Sequence, residues 1–213
     1  MVTLINHQGL KLVRGIQLQT PNPSIGLAYI GAYLKSKIQN FNLQLELSTK
    51  PNETFDIIDN WKPQIIAVSN YIWNSNLSNI ICEYAKNKNS DTLCILGGPE
   101  FPAGTGARKI ENSIQDRTYD KCFDYLIERP MVDYFTYSDG EVSILEILDK
   151  FIEKKFSTKS LKDSDEPIKG CANISKSKKK LLIGEYIPRI GMEGSVKAYG
   201  RDVIPSPYLS GLL

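Results

Sequence analysis

The chain of 213 residues has a single histidine, His7. Any Ser/His/Asp or Cys/His catalytic set must therefore use it, and a lone histidine after a short apolar run reads first as a loop residue. Its four cysteines, Cys82, Cys94, Cys122 and Cys171, are scattered, and none forms a CxxC pair. That spacing excludes a local zinc knuckle and a compact iron–sulfur motif, and it suits buried small hydrophobes. No apolar run approaches the ~20 residues that cross a bilayer. The segment Met1–Asn6 has neither the basic region nor the small-residue cleavage site of a secretory signal, so the expected location is cytoplasmic, with no membrane partner. Net charge is only +2, which argues against nucleic acid as a partner of the whole chain. The charge is uneven: residues 150–180 hold ten basic and four acidic residues, and Lys176–Lys180 reads as a solvated turn.

With 41% hydrophobic and 23% charged residues, the chain has enough apolar material to build a core. Its apolar period alternates between strand-like and helix-like over the first 155 residues. Val2–Ile5 predicts a buried strand that ends in the loop Asn6–Gly9. Ser24 is placed to cap a helix with Leu27, Ile30, Gly31 and Leu34 on one face, and its small residues allow a close approach. Leu43–Leu47 alternates like an edge strand, and Phe55, Ile57, Ile58 and Trp61 predict a helix stopped by Pro63. Ile65–Val68 and Thr92–Leu96 read as buried strands. Between them, Ile80, Ile81, Tyr84 and Ala85 repeat at helical spacing. Residues 104–131 suggest a loop and a helix bearing Cys122 and Leu126. Asp133–Tyr137 predicts a fifth strand, and Ser138–Glu141 reads as a capping box opening a further helix.

About five βα units predict an α/β fold, a doubly wound, Rossmann-like (flavodoxin-like), mainly parallel five-stranded sheet over residues 1–155. Residues 156–213 read as a linker, a small hairpin across Lys176–Lys179 and an extended, proline-broken tail. Ligands of such sheets bind at the carboxyl ends of the strands. The loops at Asn6–Gly9, Ser69–Trp73, Gly97–Phe101 and Ser138–Glu141 are therefore the candidate positions. Gly97-Gly98-Pro99-Glu100 suits either close backbone approach to a ligand or a tight turn with nothing bound. It is not a phosphate-binding Walker motif, and no GxGxxG follows the first strand. No catalytic constellation emerges.

Pro23–Leu34, Ile65–Trp73, Leu96–Pro102, Tyr137–Glu141 and Ile204–Gly211, taken in order, resemble the N-terminal cobalamin (B12)-binding domain of B12-dependent radical S-adenosylmethionine (radical SAM) proteins. Ser138-Asp139 departs from the GEGE common there. The resemblance implies a cobalamin-binding module whose contacts fall on Ser69, Tyr71, Trp73, Gly97, Gly98, Pro99, Glu100 and Gly140. The DxHxxG motif that supplies a histidine to cobalt is missing, so the resemblance implies no protein imidazole below the metal. CxxxCxxC is missing too. A [4Fe–4S] cluster and S-adenosylmethionine would then belong to a radical SAM domain or subunit outside this sequence, and the module would not be catalytic alone. A flavodoxin-like domain for flavin or another nucleotide, and an interaction module without cofactor, remain as alternatives.

Overall fold

A computed structural model of the chain describes residues 3–5, 9–14, 25–38, 43–48, 50–102, 117–187 and 204–211. Its elements run β1 (Thr3–Ile5), β2 (Gly9–Arg14), α1 (Ile25–Lys37), β3 (Leu43–Leu47), α2 (Pro51–Trp61), β4 (Ile65–Ser69), α3 (Ser75–Lys88) and β5 (Leu93–Gly97). They continue with α4 (Arg117–Ile127), β6 (Tyr134–Thr136), α5 (Gly140–Glu153), α6 (Thr158–Asp163), β7 (Cys171–Ile174) and β8 (Leu181–Ile183). The eight strands form one mixed sheet. At its centre β3, β2, β4, β5 and β6 lie side by side in that order, all parallel. β7 runs antiparallel to β6, and β8 antiparallel to β7.

Local chemistry accounts for the element ends. Pro51 stands in the first turn of α2, where its missing N–H costs nothing. Lys62 closes that helix in the left-handed region at φ 46°, its N–H reaching Ile58 O, and Pro63 prevents continuation. Alternation along the strands then divides the core between two faces. Ile66, Val68, Cys94, Leu96 and Phe135 turn toward α2, α3 and α4. Ile65, Ala67, Leu93, Ile95 and Tyr134 turn toward α1, α5 and α6. Phe151 and Ile147 of α5 are fully buried on the second face, each contributing about 1.5–3 kcal/mol.

Three sequence expectations change. The first parallel strand is Gly9–Arg14, not Val2–Ile5. β1 instead pairs antiparallel with β2, Ile5 opposite Gly9, so β2 begins at the edge opposite the expected ligand edge, and residues 6–8 of the candidate loop lie outside the described residues. His7 lies outside the described residues. In α3 the buried face is Ser78, Ile81, Cys82 and Ala85, while Ile80 is exposed, because small residues let the helix sit closer when it is rotated by one position. The stretch after residue 155, read as a linker, contains α6, whose cap Ser157 accepts the N–H of Ser160, and Leu161 is in the core. The residues beyond it extend the main sheet through β7.

All four cysteines are free and buried, and burial pushes the Cys94 and Cys171 thiols up. At the start of β6, buried Asp133 holds the sheet to helices on both faces. Its carboxylate pairs with Lys86 of α3 at 2.6 Å and Lys162 of α6 at 3.0 Å, and accepts the backbone N–H of Cys94 at 2.8 Å. Removing one partner of such a cluster leaves the remaining charges and a buried N–H uncompensated. Asp133→Ala should therefore lower the stability measured by urea unfolding by about 3 kcal/mol. A loss no larger than that of an ordinary surface substitution would contradict this role.

Candidate functional site

The carboxyl ends of β4, β5 and β6 open on a cleft of about 430 Å³ between the N-terminal turns of α1 and α5. Three features build it. First, the strands end on the α1/α5 face in small or short residues, Ser69, Gly97 and Thr136. They continue the side-chain alternation of Ala67, Ile95 and Tyr134, so the sheet surface drops away there. Second, Gly97 and Gly98 let two backbones meet. The Asn70 N–H donates to Gly97 O at 2.6 Å. Gly98 has φ +135°, and a Cβ there would lie 2.3 Å from Asn70 O. A Cβ on Gly97 would lie 2.3 Å from Thr136 Oγ1. Gly98 is therefore required by the packing of the strand ends themselves, whereas at Gly97 the close atom is the Thr136 hydroxyl. Third, Gly140 packs against α1, where a Cβ would come within 2.6 Å of Ile30 Cδ1, the movable tip of that side chain.

Gly26 differs from these three. It lines the cleft in the first turn of α1, and among the described residues a Cβ built on it meets nothing within 4 Å. The N-terminal ends of two helices of more than ten residues thus flank one cavity. Both bring backbone N–H groups and the positive end of a helix dipole toward it. Asp139 and Glu141 also border the space.

The loops around the cleft are braced from the other face of the sheet. Asn74 closes the loop after β4. Its Oδ1 accepts the Tyr71 N–H at 2.7 Å, and its Nδ2 donates to Ser69 O at 2.9 Å. Its side chain makes no cap bond to α3 as a consequence. The loop after β5 is anchored by Phe101, which stacks on Phe135 at 4.4 Å and meets Tyr125 edge-on at 5.4 Å. Asn70 Nδ2 donates to the Tyr125 hydroxyl at 2.7 Å, tying the two loops together. Burial raises the pKa of that hydroxyl to about 12.

Of the residues singled out by sequence, Ser69, Tyr71, Gly97, Gly98 and Gly140 line the cleft together. Trp73, Pro99 and Glu100 do not. The Trp73 ring stacks on Tyr71 at 4.6 Å with 60% of the residue exposed, while the chain after Gly98 turns away to seat Phe101. Sequence reasoning gave Gly26, Leu27 and Ile30 no place in the site, although the small residues of α1 were already visible, and it put Ser138, Asp139 and Glu141 in a candidate loop without assigning them a cofactor contact. It missed Asn74, whose only signal is an amide just before a helix start. The capping box is also corrected. The cap of α5 is Asp139, without a side-chain cap bond. Ser138 Oγ donates instead to Ile187 O at 2.5 Å and accepts the Ile187 N–H at 3.0 Å, which fixes the turn to the segment after β8. Ser24 lies outside the described residues.

Comparison of the chain with models of known families and with curated proteins yields no match. Among the described residues, no three His, Cys, Asp or Glu side chains gather into a metal-binding group. No helix among them is long and apolar enough to cross a membrane.

The two kinds of glycine should separate in stability. Gly98→Ala forces a left-handed backbone and a clash with Asn70, and should cost about 2 kcal/mol or more in urea unfolding. Gly26→Ala, in helical backbone with open space before it, should be neutral or stabilising by up to about 1 kcal/mol. Equal losses from both variants would contradict the packing described.

Proposed function

We propose that the chain is a doubly wound, Rossmann-like cobalamin-binding module, and that its cleft takes the nucleotide arm of the cofactor. The parallel strands, in the chain order 2-1-3-4-5, have the flavodoxin-like arrangement, in which ligands sit beyond the carboxyl ends of the strands. The observation that carries the reading is the cleft at that edge, where no described residue fills the space before Gly26. The fit is by parts. A volume of about 430 Å³ suits a nucleotide-sized arm and leaves the broad corrin disc outside, at the mouth.

Gly26, Leu27 and Ile30 would hold the arm from the α1 side, with Ser69, Gly97 and Gly98 below it and Gly140 opposite. Tyr71, positioned by Asn74, stands at the cleft wall and carries the exposed Trp73 on its outer face. Binding would rest mainly on buried apolar surface, with backbone N–H groups of the two helix ends setting orientation. When bound, cobalamin supplies methyl-transfer or radical chemistry at its cobalt. This chain's residues position it and limit water around its arm. S-adenosylmethionine and a [4Fe–4S] cluster would be contributed by a radical SAM domain or subunit, the proposed partner of the module.

The helix ends flanking the cleft also favour the phosphate of a flavin or other nucleotide, which keeps that reading as the competitor. Titration with hydroxocobalamin, followed by visible absorbance, distinguishes the two. The native chain should give a saturable spectral shift, and Gly26→Phe should abolish it while retaining the native circular dichroism and melting temperature. A shift with flavin mononucleotide and none with hydroxocobalamin would replace the proposal with the nucleotide reading. No saturable shift with either would leave the interaction module without cofactor.

A further inference from the structure

A second cavity, of about 760 Å³, lies on the outer side of α1, bounded by the chain segment 204–211. It shares two wall residues, Glu141 and Ile204, with the inner cleft, so the two spaces are neighbours across one partition. Their linings differ. The inner cleft is floored by strand ends and glycine backbone, whereas the outer one is walled by Tyr29, Ile204, Pro205 and Leu209, with Glu141, Ser206 and Ser210 between them.

The two serines of the outer wall, Ser206 and Ser210, are committed to the segment's own turn. The Ser210 N–H donates to Ser206 O at 3.0 Å, and Ser210 Oγ to Pro207 O at 3.1 Å. Ser206 Oγ accepts the Leu209 N–H at 3.5 Å, and Lys35 Nζ of α1 donates to Ser210 O at 3.3 Å. Pro205 and Pro207 restrict the backbone of the same turn. The wall is thus preformed, and among the described residues its surface is mostly apolar, with the Glu141 carboxylate at the partition disfavouring an anion. Leu209, 92% exposed, stands in this lining with most of its surface available to an occupant.

We infer that the outer cavity is a binding site for a small neutral apolar molecule, separate from whatever the inner cleft holds and abutting it at Glu141 and Ile204. Its volume is within the ~300–1,000 Å³ range of small-molecule sites, and a mostly apolar wall whose serines are already hydrogen-bonded selects such a ligand. The shared partition places the bound molecule beside the inner ligand, as an acceptor or co-substrate would need to be. The inference does not depend on the corrinoid reading, because the inner cleft enters its test only as a control.

The test uses N-phenyl-1-naphthylamine, a neutral apolar dye whose fluorescence rises on leaving water, titrated into the full chain without corrinoid. A saturable rise with one site per chain is expected. Leu209→Asp should weaken the dye about tenfold or more, the factor expected when apolar wall is replaced by a carboxylate. Since that side chain is exposed, the fold should be unaffected, as checked by circular dichroism. Tyr29→Ser should weaken the dye as well, and Gly26→Phe, which alters only the inner cleft, should leave it unchanged. A non-saturable rise, or equal affinity in the native chain, Leu209→Asp and Tyr29→Ser, would overturn the inference. So would loss of binding in Gly26→Phe alone, which would move the dye to the inner cleft.

Discussion

The site depends on one close approach between two backbones. At the ends of β4 and β5, Asn70 and Gly97 are joined by a 2.6 Å hydrogen bond, and Gly98 passes Asn70 O so closely that no Cβ fits. This contact sets the floor of the cleft. It also turns the chain after Gly98 down toward the α2/α3/α4 face, where Phe101 enters the aromatic cluster with Tyr125 and Phe135. The side chain of Asn70 reaches the same cluster through Tyr125. A single backbone contact therefore couples the shape of the cleft on one face to packing on the other. The loops that form the site are anchored by the same aromatic packing that fills the core.

The opposite edge is held differently. There the constraint is electrostatic, with Asp133 bridging Lys86 and Lys162 across the sheet. One end of the sheet is fixed by paired charge and the other by glycine-permitted contact. The cleft lies at the contact end. This division follows from where side chains are small: Ser69, Gly97, Thr136 and Gly140 remove bulk only at the carboxyl edge, while Gly26 leaves space unfilled.

Much of this was legible in the residues. Ile65–Val68 and Leu93–Leu96 are apolar on both faces, as strands covered on both sides must be, and they are the central pair of the sheet. The glycines at 97, 98 and 140 could be placed at strand ends, though not sorted by purpose, since a spacing pattern does not say whether a missing Cβ makes room for protein or for ligand. The first strand was misplaced because Val2–Ile5 is more apolar than Gly9–Arg14, and the partner that decides between them, β3, is more than thirty residues away. The cap at Ser138 failed for a related reason: Ile187, some fifty residues on, takes both hydrogen bonds of its hydroxyl. Asn74 gave almost no signal, because an asparagine before a helix reads as a cap until the loop it closes is seen.

A crystal structure of the chain grown with hydroxocobalamin tests the central claim most directly. The account predicts the nucleotide arm between Gly26 and Ile30 on one side and Gly97, Gly98 and Gly140 on the other, with the corrin lying over the mouth and no histidine on the cobalt. Cofactor seated elsewhere on the molecule, or a cleft that stays closed around water while the vitamin is present in excess, would contradict it.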